Sequence, residues 1–279
     1  MNQKSYDKSE YGKLYLIPTP IGNLEDITFR AINILKEVDI VYAEDTRETF
    51  NLLKYYDINK KIESCHKYTE MKHKDKIISI LKSGKNIGYV TDRGTPLISD
   101  PGNVIVDEAI RNNISVISLP GPNALLPAIN MSGISNQRFL FYGFLNSKKS
   151  IAKKELSNLK NIKETLIFYE SPYRINDTLK LILETLGNRK ASIVREISKL
   201  HEEVLRSNIE TLIKETEQIK GEIVLVVEGN NEIIEEDINY SDLVAGLVKK
   251  GYTTRDAVKE ISEKYQINKN KLYNLVKEK

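Results

Sequence analysis

The sequence predicts an α/β protein: two α/β domains, the first built on a largely parallel sheet, followed by a small helical domain. Three observations support this prediction. Short apolar runs typical of buried strands alternate with helical patterns from residue 14 onward. The length of 279 residues suits about two domains. The last 39 residues carry helical periodicity, in two or three short segments that resemble a helix-turn-helix unit.

Composition excludes several classes of protein. Hydrophobic residues make up 40% of the chain and charged residues 29%, which is the balance of an ordinary globular protein and not of a disordered one. The longest apolar runs, such as 223–227, are far shorter than the roughly 20 residues that span a bilayer. The polar first ten residues lack the apolar segment of a signal peptide. The single cysteine, Cys65, excludes an intrachain disulfide framework and a Cys-rich zinc site, and it fits a reducing cytoplasm.

The elements of the first domain follow from apolar runs and helix caps. Strands are predicted at 14–17, 39–43, near Ile62, at 86–91 and at 115–119. Helices are predicted from the cap Thr28 to about Lys36, from about Thr46, up to about Lys82, and from Pro101 to about Asn112. In the last of these, Asp100 and Pro101 form the residue pair expected at the cap and first position of a helix. Strand–helix alternation of this kind indicates a parallel sheet.

The second half mixes parallel and antiparallel signals. Strands are predicted at 138–144, 164–170, 191–196, 203–207 and 221–229, with the third and fourth paired. Helices are predicted after the first of these strands, from Pro172 to about Leu186, and after the cap Asn208. The expected division is a first domain at 12–120, a second at 121–229, an acidic linker at 230–240 and a helical domain at 241–279.

Three loops rich in glycine and proline follow predicted strands: 18–23, 91–102 and 119–128. Ligands of open parallel sheets bind beyond the carboxyl ends of the strands, where such loops let the backbone approach a ligand closely. One such loop is most simply a tight turn, whereas three at one sheet edge favour a ligand pocket. Neither a GxGxxG nor a GxxxxGK[ST] pattern occurs, so a dinucleotide fold or a P-loop NTPase is not indicated.

Other polar residues have both a functional and a structural interpretation. Adjacent acids, a hydroxyl and an arginine at 44–47 follow the second strand directly, and Asp45 or Thr46 either caps the next helix or takes part in chemistry. His66 and His73 lie at helical spacing, but no second cysteine or HExxH pattern accompanies them, and no metal site is predicted. His201 lies in a polar link between two strands, as part of a turn or of a site.

The charge is distributed unevenly. The chain carries a net charge of +3, which is too small to indicate nucleic-acid binding by itself. Residues 241–279 hold nine Lys/Arg and five Asp/Glu, a net charge of +4. A second basic cluster comprises Lys148, Lys149, Lys153 and Lys154. Each run alone is most simply a solvated helix face, and two clusters in one chain weaken that interpretation without removing it.

Several motifs together carry a family resemblance: PTPIGNLEDIT, AEDTR, TDRGTPLISDPG, LPGPNALLPA, FYESPYR, RE followed by KLHEE, and KGEIVLVVEG, in this order. On these motifs the chain resembles the ribosomal RNA small-subunit methyltransferase I family, of the tetrapyrrole-methylase (class III) fold. The resemblance covers about 12–229, and 240–279 is similar to the family's C-terminal helical domain. It implies a homodimer that uses S-adenosylmethionine, without a metal, to methylate the ribose 2′-oxygen of a cytidine in the decoding region of 16S rRNA.

The resemblance also implies the site residues. The cofactor would lie in a cleft between the two α/β domains. Its expected contacts are Pro20, Asp92, Gly94, Thr95, Pro96, Ser99, Pro122, Ala124, Leu125, Tyr169 and Glu170. Expected substrate contacts are Arg47, Arg93, Lys148, Lys149, Lys153 and Lys154.

Two stretches depart from the family pattern. A small residue is usual at the position of Arg93, whose side chain points either to solvent and RNA or into the cofactor loop. The family's Ser-aromatic-His-x-x-Asn-Glu pattern corresponds here to residues 64–70, without the aromatic residue and the Asn.

Transfer of a methyl group from a sulfonium to a hydroxyl depends mainly on in-line positioning, and a general base would add roughly 10²–10⁴-fold. Candidate bases are Asp45, Glu196, Lys199 and His201, with Asp45 foremost because it ends a strand on the substrate side. Two other hypotheses stay open: a methyltransferase of the same fold acting on a tetrapyrrole or another small molecule, and a helix-turn-helix regulator that binds nucleic acid. The two basic clusters argue against a small substrate, which needs neither.

Overall fold

The structure, a computed structural model, describes residues 3, 10–66, 69–231, 240–265 and 267–277. By chain contacts the protein divides into one unit over residues 1–231 and a second over residues 232–279. The first unit contains two five-stranded sheets and the second contains helices, so the predicted α/β fold with C-terminal helices is confirmed. Among the described residues no helix combines the length and the apolar character needed to cross a membrane.

The first sheet is entirely parallel, in the order β3-β2-β4-β1-β5. Its strands are β1 (Leu14–Leu16), β2 (Ile40–Ala43), β3 (Lys61–Ser64), β4 (Ile87–Val90) and β5 (Val116–Ser118). Its helices are α1 (Phe29–Glu37), α2 (Thr46–Tyr55), α3 (Glu70–Lys82) and α4 (Asn103–Arg111). Alternate residues of the strands pack on opposite faces, with Leu14 and Tyr42 in one apolar cluster and Val41 and Val90 in the other.

The second sheet is mixed, in the order β6-β7-β10-β8-β9, and only β6 and β7 pair in parallel. Its strands are β6 (Phe139–Phe144), β7 (Thr165–Glu170), β8 (Lys190–Arg195), β9 (Glu203–Asn208) and β10 (Ile223–Val227). Its helices are α5 (Leu125–Ser132), α6 (Lys149–Leu159), α7 (Ile175–Leu186) and α8 (Ile209–Glu215). One apolar cluster joins α6, α7 and α8 to the sheet, and another joins α5 to its opposite face.

Three helices of the second unit surround a core of their own. They are α9 (Tyr240–Lys249), α10 (Thr254–Tyr265) and α11 (Lys269–Lys277). Val244, Val258, Ile261 and Leu272 are buried among them. Most of the predicted linker, 230–240, lies outside the described residues, as do residues 67 and 68 of the 64–70 stretch. The predicted boundary at 120/121 stays a prediction, although each sheet falls within one of the two expected ranges.

Two helix starts were predicted too early. Helix α4 begins at Asn103, not at Pro101, because Gly102 has a φ of +126°, which no helical residue adopts, and it takes the cap position itself. Helix α7 begins at Ile175, and the residues after Pro172 form a turn in which the Arg174 N–H donates to the Ser171 carbonyl at 3.0 Å. The caps Thr28 and Asn208 are confirmed, since each side chain accepts a hydrogen bond from the first turn of its helix.

Cys65 is completely buried in the cluster that joins the first sheet to α3 and α4. Burial raises the pKa of its thiol to about 11. It is therefore a packing residue with an unreactive thiol at neutral pH.

Candidate functional site

The three glycine- and proline-rich loops meet at one edge of the first sheet. They follow β4, β1 and β5, which are adjacent in the sheet and parallel, so their carboxyl ends lie together. Thr19 and Gly94 form an antiparallel bridge between the first two loops. The Thr95 hydroxyl donates to the Pro122 carbonyl at 3.0 Å and ties in the third loop. The expected clustering of these loops is therefore observed.

The loop between β4 and α4 has an unusual backbone. Gly94 has a φ of +80°, and two residues with side chains, Leu97 and Ser99, have φ values of +72° and +70°. Left-handed conformations cost roughly 1–2 kcal/mol for each residue that carries a Cβ. The Gly102 N–H donates to the carboxylate of Glu70, which is buried, and this bond anchors the end of the loop. Backbone strain held in place by the surrounding structure is typical of ligand sites.

A cavity of about 450 Å³ lies between this loop and the second sheet. The first-sheet side and its connection to α5 contribute Ile21, Arg93, Gly94, Thr95, Ile98, Ser99, Asp100, Asn123 and Ala124. The second-sheet side contributes Phe144, Tyr169, Glu170, Ser171, Pro172, Ile197, Glu222, Ile223 and Val224. The wall thus combines apolar side chains with a few polar groups, as is usual for sites that bind small molecules.

Six of the eleven predicted cofactor contacts line this cavity: Gly94, Thr95, Ser99, Ala124, Tyr169 and Glu170. Pro20 and Asp92 line a neighbouring cleft instead. Pro122 supplies the carbonyl that Thr95 binds, Leu125 packs in the apolar cluster beneath α5, and Pro96 is buried within its loop. The assignment of all eleven residues to cofactor binding stays a prediction.

The structure adds wall residues that sequence reasoning missed, chiefly Asp100, Asn123, Phe144 and Glu222. Asp100 had an alternative explanation as a helix cap, which the later start of α4 removes. Phe144 and Glu222 lie at the ends of strands, where an aromatic or charged residue is ordinary. A signal was present in the KGEIVLVVEG motif, whose Glu222 stands directly before a fully buried strand.

Carboxyl groups gather near the first-sheet wall of the cavity. Burial raises the pKa of Asp100 to about 7, and repulsion from Glu44 and Asp92 adds to the effect. Burial and then Asp92 likewise raise the pKa of Glu44. Burial, followed by Asp100, raises the pKa of Tyr169 to about 12. This concentration of negative charge favours a cationic ligand.

An ion network joins the two sides of the cavity. Glu222 pairs with Arg93 through one carboxylate oxygen and accepts from Lys199 Nζ through the other at 2.8 Å. Lys199 Nζ also donates to Glu196 Oε1 at 2.9 Å. Arg93 thus lines the cavity and binds Glu222, and about half of its side chain is exposed. The Arg93 side chain therefore lies partly in solvent and partly in the wall of the cavity, and its effect on RNA or cofactor binding stays a prediction.

These ion pairs work against two of the four candidate bases. Burial tends to lower the pKa of Lys199, but hydrogen bonds to Glu222 and Glu196 outweigh it, and the pKa is raised. A protonated ammonium has no lone pair with which to accept a proton. The hydrogen bond from Lys199 lowers the pKa of Glu196, which makes that carboxylate a weaker base. In this structure Lys199 and Glu196 are therefore occupied by hydrogen bonds, to each other and, for Lys199, also to Glu222.

Asp45 is the N-cap of α2. Its Oδ1 accepts from the Arg47 N–H at 2.8 Å, and its Oδ2 pairs with Arg47 Nη2 at 2.6 Å. The hydrogen bonds from Arg47, side chain first and then backbone, lower the pKa of Asp45 to about 2. Its N–H donates to Asp92 Oδ1 at 2.8 Å. The geometry therefore supports the capping alternative.

His201 lies in the exposed link between β8 and β9 and lines a separate groove with Arg195, Glu196 and Glu203. Its predicted role as a base stays untested by this arrangement. Within the described part of the chain no three His, Cys, Asp or Glu side chains are grouped to hold a metal ion.

The predicted substrate contacts fall on two surfaces. Arg47 and Arg93 lie at the carboxyl edge of the first sheet, near the cavity. Lys148, Lys149, Lys153 and Lys154 are exposed at the start of α6, where Lys153 pairs with Glu184. A cleft of about 500 Å³, lined by Pro20, Asn51, Tyr55, Asp92, Arg93 and Lys199 among others, adjoins the cavity through Arg93.

Comparison with solved structures supports the fold. The chain is similar to a uroporphyrin-III C-methyl transferase from Thermus thermophilus complexed with S-adenyl homocysteine, with a TM-score of 0.58 and 19% identity over 78% of this chain and 97% of that one. It is also similar to a diphthine synthase, with a TM-score of 0.61 and 16% identity over 78% of this chain and 90% of that one. At these identities the likeness shows a shared fold.

Comparison of sequences is more specific. Residues 13–213 match the family described as Tetrapyrrole (Corrin/Porphyrin) Methylases. The ribosomal RNA small subunit methyltransferase I of Bacillus subtilis (strain 168) is 46% identical, over 95% of this chain and 94% of that protein. The protein of the same name from Halalkalibacterium halodurans is 42% identical, over 98% of each. The chain therefore belongs to the tetrapyrrole methylases and, among them, to the ribosomal RNA small subunit methyltransferase I family.

Proposed function

We propose that this protein is an S-adenosylmethionine-dependent methyltransferase of small-subunit ribosomal RNA. The finer proposal is methylation of the ribose 2′-oxygen of a cytidine in the decoding region of 16S rRNA. The observation that carries the proposal is the cavity, which three loops at the carboxyl edge of the parallel sheet and the strands of the second sheet enclose together. Relatives that span almost the whole chain bear the name of this rRNA methyltransferase.

The lining of the cavity suits the cofactor in its chemistry. Gly94, Thr95 and Ala124 would present backbone groups to it, and Tyr169 would supply an aromatic wall. S-adenosylmethionine carries a sulfonium, a positive charge that the carboxyl groups around Asp100 would stabilise. When bound it supplies the methyl group, which leaves sulfur for the 2′-oxygen while that oxygen loses its proton.

The protein contributes mainly by positioning. The reacting hydroxyl would enter from the neighbouring cleft, which Arg93 connects to the cavity. Fixing oxygen, methyl and sulfur in line supplies most of the rate, and any base adds roughly 10²–10⁴-fold. Asp45, Glu196, Lys199 and His201 stay candidates for that base, with the geometry unfavourable to the first three for the reasons given above.

The test is transfer of labelled methyl from S-adenosylmethionine to purified small subunits, followed by mapping of the modified nucleotide. We expect label on one cytidine ribose and release of S-adenosylhomocysteine. Naked 16S rRNA and a tetrapyrrole are tested as substrates in the same assay. Label on the tetrapyrrole alone would support the small-molecule alternative, and specific DNA binding without any methyl transfer would support the regulator.

Two further expectations belong to this proposal. A homodimer is expected from the family resemblance, and sedimentation of the purified protein measures its mass directly. An enzyme that modifies ribosomal subunits is expected to act in the cytoplasm, where those subunits are. The helical unit at α9–α11, with its net charge of +4 over 241–279, is proposed to help dock the RNA.

A further inference from the structure

Helix α2 exposes a polar and aromatic face beside the cleft. The side chain of Arg47 is 86% exposed and Phe50 is 58% exposed. Asn51 follows on the same face and is also exposed. Arg47, Phe50 and Asn51, together with Thr46, Lys60 and Ile62, line a shallow concavity of about 480 Å³. A partly exposed phenylalanine ring thus shares this concavity with an arginine and a lysine.

A single exposed aromatic residue is common on protein surfaces and needs no special explanation. The neighbours of Phe50 are what distinguish it. Proteins that bind single-stranded nucleic acid combine aromatic rings, on which bases stack, with cations that contact the phosphates. The Phe50 ring offers the stacking surface, while Arg47 and Lys60 provide the charge. Two of the Arg47 guanidinium nitrogens also bind the Asp45 carboxylate, at 3.1 and 2.6 Å, so Arg47 offers a phosphate less net charge than an unpaired arginine would.

The concavity is continuous with the site already described. Asn51 lines both the concavity and the cleft, and Arg93 lines both the cleft and the cavity. The Asp45 N–H donates to Asp92 Oδ1, which holds the start of α2 against the loop that lines the cleft. An RNA strand whose target nucleotide occupies the cleft would therefore place its neighbouring nucleotide against α2.

We propose that Arg47, Phe50 and Lys60 form a subsite for the single-stranded RNA that flanks the methylated nucleotide. One base stacks on the Phe50 ring, and the adjacent phosphates contact Arg47 and Lys60. This inference rests on the proposed function, because it assigns part of the same RNA substrate. A second protein chain is a poorer occupant, since the exposed residues of α2 besides Phe50 are Arg47, Glu48, Asn51, Lys54 and Tyr55, which are mostly polar or charged and form no continuous apolar patch.

The first test compares three variants in RNA binding, which does not depend on methyl transfer. Phe50→Ala removes the ring, and Phe50→Trp keeps an aromatic surface. Phe29→Ala is the matched control, because Phe29 is 88% exposed on the neighbouring helix α1 and lines neither the concavity, the cleft nor the cavity. The probe is a labelled single-stranded fragment of the 16S decoding region, followed by fluorescence anisotropy. We expect Phe50→Ala to weaken binding about tenfold, with Phe50→Trp and Phe29→Ala close to wild type.

The cations are tested through salt. Lys60→Gln should reduce the slope of log affinity against log salt by about 0.7, the value for one phosphate of a single strand. Lys85→Gln is its control, because Lys85 is exposed and lines neither the concavity, the cleft nor the cavity. An equal loss in Phe50→Ala and Phe29→Ala, or an unchanged slope in Lys60→Gln, would overturn the subsite.

Failure of the RNA subsite can be distinguished from failure of the proposed function. A wild-type protein that methylates no RNA would contradict the proposed function, while the binding difference between the two alanine variants would still decide the subsite. Sedimentation of Phe50→Ala examines the rival occupant: a lost dimer together with unchanged RNA affinity would assign this face to a second copy. All variants are compared by melting temperature, and these exposed positions should leave it unchanged.

Discussion

Thr19 and Gly94 bind each other through two backbone hydrogen bonds, each N–H donating to the other carbonyl at 2.9 Å. This antiparallel bridge lies just beyond the ends of the parallel strands β1 and β4 and joins the two ligand loops to each other. The Thr19 hydroxyl also donates to the Thr91 carbonyl at 3.1 Å. Three hydrogen bonds thus hold the loops after β1 and β4 together at Gly94, which lines the cavity and has the left-handed conformation of a turn.

The first prediction concerns Gly94. A Cβ at this position would lie 3.4 Å from Ile21 Cγ2 and 3.7 Å from the Pro122 carbonyl oxygen, at a φ of +80° that valine rarely adopts. We expect Gly94→Val to weaken binding of S-adenosylhomocysteine at least tenfold in calorimetry. Gly187→Val is the control, because Gly187 has a φ of +89° with nothing within 4 Å of an added Cβ. Equal cofactor affinity in both variants would move the site elsewhere.

The second prediction concerns Asp45. Asparagine is an equally good N-cap, and an exposed ion pair contributes little to stability, so Asp45→Asn should keep the wild-type kcat and melting temperature. Asp45→Ala removes the cap and should lower the melting temperature by roughly 2–4 °C. Methyl-transfer kinetics provide the other measurement. A kcat reduced about 10²-fold in Asp45→Asn, with KM unchanged, would instead identify Asp45 as the proton acceptor.

The third prediction is a pH dependence caused by Asp100. Its pKa is about 7 in the folded protein and about 3.9 in an unfolded chain. Between these values the folded state holds a proton that the unfolded state has lost, so the stability from this group is complete below about pH 4 and is lost as the pH rises to about 7. Asp100→Asn should therefore gain stability relative to wild type across this interval. Denaturant unfolding from pH 4 to 8 measures the difference, which should be absent at the acid end.

The same group should distinguish two ligands. A sulfonium near Asp100 favours its ionised form, so the affinity for S-adenosylmethionine should rise from pH 6 to pH 8. S-adenosylhomocysteine is uncharged at sulfur and should show a weaker dependence. Parallel slopes for the two ligands, or an unchanged slope in Asp100→Asn, would contradict an interaction between Asp100 and the sulfonium.

The fourth prediction concerns the lysines at the start of α6. Changing Lys148, Lys149, Lys153 and Lys154 to glutamine should weaken RNA binding and flatten its salt dependence by up to about 0.9 for each lost phosphate contact. The affinity for S-adenosylhomocysteine should not change. Lys153 is already paired with Glu184, so the single variant Lys154→Gln should have a larger effect on RNA binding than Lys153→Gln. A salt slope equal to that of wild type would leave this cluster as a solvated surface.

The fifth prediction concerns the helical unit. Helices α9, α10 and α11 enclose their own apolar core, so deletion of residues 238–279 should leave the first unit folded. We expect the KM for small subunits to rise while the affinity for S-adenosylhomocysteine is unchanged. Undiminished activity of the shortened protein on small subunits would restrict this unit to a structural role.

The fold was largely predictable because its signals are local. Apolar runs such as 223–227 and caps such as Thr28 and Asn208 depend on neighbouring residues only, and each was placed correctly. The start of α4 was misplaced because Asp100-Pro101 is a strong local signal. The bond from the Gly102 N–H to Glu70, distant in sequence, favours a different backbone there.

Local residue patterns predicted the site on one side only, whereas Tyr169 and Glu170 on the opposite wall came from the family resemblance. The loops of the first sheet are recognisable in the sequence by their glycine and proline residues. Gly94 and Thr95, which were expected to contact the ligand, line the cavity. The opposite wall is built by residues such as Phe144 and Glu222, which ordinary strand patterns contain. Their role depends on how the second sheet faces the loops, and this is a tertiary relationship that no local pattern encodes.

The burial of Cys65 makes the wild-type chain a convenient background for site-specific labelling. A maleimide reacts with thiolate, and a fully buried thiol with a pKa of about 11 is almost entirely protonated and out of reach. A cysteine introduced at an exposed position, such as Ser150 on α6 or Asn270 on α11, would therefore take up a dye selectively without removal of the native residue. Energy transfer from such dyes to a labelled ribosomal subunit would then report which surfaces of the enzyme approach the RNA, in a protein whose core is unaltered.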